Sequence, residues 1–88
     1  MAQSMTGHDG QDALAALNLP HAIHTQSLKL LRAIAQARTA TDCQRATDRA
    51  EGFGLGIETV KALNAASLEG LYLAFEHTTT ARLVGLEQ

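Results

Sequence analysis

The chain has one cysteine, one proline, three aromatic residues and no tryptophan in 88 residues. A single thiol, Cys43, excludes an internal disulfide framework and fits a reducing compartment. No stretch approaches the ~20 apolar residues of a membrane-spanning helix. The opening MAQSMTGHDG lacks the basic-then-apolar order of a secretion signal, so the expected location is the cytoplasm, without a membrane partner. Positive charge is also scarce. Seven Lys and Arg against nine Asp and Glu leave a formal charge of −2, and the basic residues are dispersed, which argues against non-specific attraction to a phosphate backbone. With only Phe53, Tyr72 and Phe75 as aromatics and much of the apolar content supplied by Ala, a single domain of this length has a thin core; chains this short bury only roughly 60% of their unfolded surface.

What is present is helical periodicity. Residues 1–10 are polar and small and are expected to be flexible, ahead of a single helical domain over 11–88 in which residues 11–18 supply a short helix. Pro20 opens the first main helix, near 20–38, because its missing N–H costs nothing in a first turn. Ile23, Ser27, Leu30, Ile34 and Ala37 repeat at spacings of three and four, and Leu28, Leu31 and Ala35 widen the apolar arc enough to touch two neighbours.

A hydroxyl N-cap at Thr39 or Thr41 starts a second helix, near 42–63. Cys43, Ala46, Ala50, Phe53, Ile57, Val60 and Asn64 form its seam, and Asp42, Arg45, Asp48, Arg49 and Glu51 form a solvated charged face. Ser67 is the expected N-cap of a third helix, near 67–86, with Leu68, Leu71, Tyr72, Phe75, Thr79, Arg82, Leu83 and Leu86 on one face. The predicted architecture is an all-α, three-helix domain: a long hairpin of the second and third helices covered by the first, forming a homodimer to complete a thin core.

The stretch AEGFGLG (50–56) breaks the compositional pattern with three glycines. A nucleotide-binding loop requires a preceding strand, and ATDCQRATDR is polar, charged and capped like a helix. A helix-turn-helix reading places Gly54 at the turn and Glu58, Thr59 and Lys61 on or near a recognition helix. Against it, Ile57 then points outward and the helix carries little positive charge. The favoured reading keeps the helix continuous. Gly52 and Gly56, on a strip shared with Leu63, then let another backbone approach closely, while Leu55, and on the third helix Leu73 and Val84, project away from the core seams.

Chemistry is poorly provided for. His21 and His24 in HAIH have ligand spacing but no second pair to complete a metal site, and Cys43 lies on an apolar seam with no base beside it in sequence. The sequence therefore predicts no enzyme, no cofactor and no metal. It predicts a small regulatory protein, an inhibitor, anti-activator or adaptor, that binds another protein chain through Gly52, Leu55, Gly56, Leu63, Leu73 and Val84. The alternative is a DNA-binding regulator using Glu58, Thr59 and Lys61.

Overall fold

The computed structural model describes residues 6–87 and arranges them as α1 (Thr6–Ala16), α2 (His21–Ala35), α3 (Ala40–Thr59) and α4 (Ala65–Leu86), with no strand among the described residues. The all-α class is as expected, but there are four helices rather than three. The helix expected over 11–18 begins at Thr6 and carries Leu14, fully buried, into the core. Of the segment expected to be flexible, residues 1–5 lie outside the described residues.

Local chemistry sets the helix ends. Pro20 is the N-cap of α2 rather than its first residue, so the helix runs from His21 to Ala35 instead of the predicted 20–38, and the Pro20 carbonyl accepts from His24 N at 2.9 Å. Thr39 caps α3, its hydroxyl accepting from Asp42 N at 3.0 Å. For α4 the cap is Asn64 rather than Ser67: the Asn64 side chain accepts from Ser67 N at 2.8 Å, satisfying one of the orphan N–H groups of the first turn.

The second main helix stops at Thr59, short of the predicted 63. Lys61 takes a left-handed φ of 54°, Lys61 N donates to Glu58 O and Ala62 N donates to Ile57 O, both at 3.1 Å. These two bonds are the Schellman closure of a helix, here with lysine where glycine is usual. Val60 and Asn64 consequently leave the apolar seam on which continuous periodicity had placed them. Val60 is 71% exposed.

α2 and α4 each touch the other three helices, whereas α1 and α3 are both packed against that pair. Leu30, Leu31 and Ile34 of α2, Cys43, Ala46 and Ala50 of α3, and Leu71, Ala74 and Phe75 of α4 form the buried centre with Leu14. α4 also buries Thr78, which shares the helical face of Leu71 and Phe75 although the sequence reading did not single it out.

The α3 and α4 helices run antiparallel: advancing seven residues on α3, from Thr47 to Gly54, corresponds to retreating seven on α4, from Thr79 to Tyr72. The Thr47 and Thr79 hydroxyls meet at 2.8 Å, and each also lies within hydrogen-bonding distance of its own i−4 carbonyl, Cys43 O or Phe75 O. Two hydroxyl protons serve three contacts, so only two are hydrogen bonds at any instant. Arg82 Nε donates to Ala37 O at 2.6 Å and ties α4 to the α2–α3 connection.

Candidate functional site

The backbone of α3 passes through Gly52, Gly54 and Gly56 without a break, and no glycine among the described residues has positive φ. The turn that a helix-turn-helix needs at Gly54 is absent. Glu58 and Thr59 occupy the last turn of α3, with Thr59 Oγ1 donating to Leu55 O at 2.8 Å, and Lys61 lies in the Schellman loop. These three residues therefore do not stand on a separate recognition helix.

The glycines have unlike roles. Gly54 is buried, and a β-carbon there would lie 2.6 Å from Tyr72 Cε1. The close approach expected at Gly52 and Gly56 is thus made within the chain, at the glycine between them. Gly52 and Gly56 are exposed, with nothing within 4 Å of a β-carbon placed on either.

Beside the Gly54 contact, α3 and α4 line an open cleft of about 420 Å³. Gln44, Thr47 and Glu51 line it from α3, and Tyr72, Phe75, Glu76, Thr79 and Thr80 line it from α4. No Lys or Arg is among these residues. The Tyr72 hydroxyl oxygen is buried and has no hydrogen-bond partner. Burial raises the phenol's pKa above its usual 10.0, and the negative charges of Glu58 and Glu51 push it in the same direction. Tyr72 therefore lies within the field of two carboxylates on α3.

Of the residues predicted to form an interface, Gly52, Leu55, Gly56, Leu73 and Val84 are exposed. Leu55, Leu73 and Val84 remain 59%, 54% and 49% accessible, so more than half of the first two side chains is left to water. Leu63 does not join them. It is half-buried and packs against the core, because the chain has left α3 before reaching it.

The helical period places Leu55 on one stripe with Glu51 and Glu58, and Leu73 on one stripe with Glu69 and Glu76. By the register of the antiparallel helices the two stripes face the same side, where Glu51 and Glu76 also line the cleft; Leu55, Leu73, Glu58 and Glu69 are not part of its lining. Sequence reasoning assigned Leu55 and Leu73 to the surface, placed Glu51 on a solvated face, Glu58 only among alternative DNA contacts and Tyr72 on a core face, and did not single out Glu69 or Glu76. The missed signal is present in the chain: EGFGLGIE (51–58) and EGLYLAFE (69–76) share Glu, Gly, Leu and Glu at their first, second, fifth and eighth positions.

Elsewhere, Cys43 is fully buried as a free thiol in the core, His21 is exposed and His24 half-buried. Among the described residues no three His, Cys, Asp or Glu side chains gather as a metal site, and no helix is long and apolar enough to cross a membrane. No family model matches the chain, and neither a curated protein nor a solved structure matches it.

Proposed function

We propose that this chain is a small non-enzymatic regulatory protein, acting as an inhibitor, anti-activator or adaptor, that docks on a larger protein through the outer face of α3 and α4. The observation that carries this reading is the pair Leu55 and Leu73, both largely exposed and, by the register of the antiparallel helices, on the same side of the α3–α4 pair. Single exposed leucines need no explanation, but two on the same side of adjacent helices supply the apolar anchors that a docked helix uses. The proposal includes a homodimer: the molecule measures only 18 Å along its shortest axis, and the bare glycine strip of α3 gives a second copy close access.

The test is capture from the source cell with wild-type protein and with the double variant Leu55→Ser/Leu73→Ser. Both positions are exposed, so the variant keeps its helicity; proteins retained by the wild type should be lost from the variant. Identical captured sets would remove the docking assignment. Sedimentation at roughly tens of micromolar addresses the dimer separately, because mass action at that concentration populates a dimer of micromolar affinity.

A further inference from the structure

The two related octapeptides lie across from each other. Gly54 faces Tyr72, so Glu51, three residues before Gly54, stands opposite Glu76, four residues after Tyr72; both line the same cleft. One turn beyond the contact, outside the cleft, Glu58 stands opposite Glu69 by the same register. The antiparallel packing thus gives the shared pattern Glu-x3-Leu-x2-Glu a local pseudo-two-fold arrangement: two facing pairs of glutamates, about 10 Å apart along the groove at 1.5 Å per residue, with Leu55 and Leu73 between them. All four glutamates are exposed. The chain has five glutamates in total, so four of them frame this one surface.

We infer that the α3–α4 groove receives an amphipathic helix of another protein that places Leu-type residues on Leu55 and Leu73 and Lys or Arg between the facing glutamates. This deepens the docking reading above and rests on it. The charge of this face points to a basic occupant. The four carboxylates repel an acidic segment and attract a basic one, and such complementarity governs partner choice and encounter rate. A second copy of this chain fits this face poorly. An isologous contact would set the four glutamates against the same four.

Spacing specifies the occupant further. A helix lying along the groove presents cationic residues to both glutamate pairs when they are seven apart, because seven residues make two turns and return the side chain to the same face. Apolar residues three and four positions on then reach the leucines.

The test uses synthetic helical peptides of about 18 residues, long enough to span both glutamate pairs. They carry a Leu/Ala face and Lys at seven-residue intervals, with otherwise identical versions bearing Gln or Glu in place of Lys. None contains an aromatic residue, and Tyr72 is the only tyrosine in a chain without tryptophan, so its fluorescence reports occupancy of the groove directly. Amide chemical shifts of the full chain locate the contact. The Lys peptide is expected to bind roughly tenfold or more tighter than the Gln peptide, to weaken as salt rises from about 50 to 300 mM, and to shift Leu55, Leu73 and the four glutamates. The Glu peptide should not bind. Combining Glu51→Gln, Glu58→Gln, Glu69→Gln and Glu76→Gln should abolish the preference for Lys while the helicity is retained.

Equal binding of the Lys and Gln peptides at this face, sensitive to Leu55→Ser/Leu73→Ser, would overturn the basic partner and leave the docking surface standing. Binding of the Lys peptide elsewhere on the chain, or of none of the peptides, would overturn the inference outright. So would a peptide-free dimer dissociated by Leu73→Glu, because it would show the groove face to be a self-contact.

Discussion

Gly54 and Tyr72 exclude any side chain between them: a β-carbon on Gly54 would approach the tyrosine hydroxyl oxygen to 2.9 Å as well as striking the ring. Gly54→Ala gains about 1 kcal/mol of helix propensity but must displace the phenol, an overpacking cost of about 1–3 kcal/mol, so the variant should be less stable than wild type. The displaced group identifies itself in a double-mutant cycle. In a Tyr72→Ala background the same glycine substitution should become stabilising by about 1 kcal/mol, as read by urea unfolding.

Gly52→Ala and Gly56→Ala should behave in the opposite way. Both positions are helical and exposed, and an added β-carbon meets nothing within 4 Å, so each substitution should stabilise the isolated chain by about 1 kcal/mol. Loss of stability at either site would show that α3 departs from helical geometry there. The three glycines that look equivalent in the sequence should thus split, two against one, in a single series of melting curves.

Lys61 supplies a different kind of backbone test. With φ at 54° it sits where an L side chain costs roughly 1–2 kcal/mol and glycine is unhindered, so Lys61→Gly should raise stability by up to about 1 kcal/mol after allowing for the freer unfolded chain. At the other end of the same loop, Asn64→Ala should cost about 1 kcal/mol through loss of the N-cap bond to Ser67 N. Ser67→Ala leaves that backbone donor in place and should cost much less. An equal loss at Ser67 would restore the later helix start that the sequence favoured.

What was legible in the chain followed from local periodicity, and what was not followed from tertiary contact. Ser27, Leu30 and Ile34 recur at helical spacing and are all buried, as are Cys43, Ala46 and Ala50, because amphipathic repetition reports a buried face whatever covers it. Thr47 and Gly54 were missed as buried positions. Neither is apolar in the ordinary sense; each is buried because a particular residue of α4, Thr79 or Tyr72, happens to face it. The end of α3 was misplaced because the seam continues in register through Val60 and Asn64, whereas a left-handed lysine carries no compositional warning. The outward leucines were legible as leftovers from the seams. Their convergence on the same side of the α3–α4 pair depended on the register of α3 against α4, which no single helix encodes.

Tyr72 connects the groove to pH. Its hydroxyl is buried and its phenol lies near Glu51 and Glu58, so the folded-state pKa is raised above the value of about 10 that holds in the unfolded chain. Below pH 10 the phenol is protonated in both states and the shift has no effect on stability. As pH rises past 10, the unfolded chain releases its proton first, the unfolded state binds fewer protons than the native one, and the stability of the fold declines until the folded-state pKa has been passed. Tyr72→Phe should remove this alkaline decline, and it should leave stability at neutral pH unchanged or slightly improved because the hydroxyl it deletes has no partner to lose. Glu51→Gln/Glu58→Gln should lower the phenol pKa without restoring it fully, since burial is the larger cause. With one tyrosine and no tryptophan in the chain, the phenolate absorbance titration of the native protein reads this group alone. A midpoint at or below 10 in the wild type would show that the phenol is solvated rather than held against α3, and the packing assigned to Gly54 would fail with it.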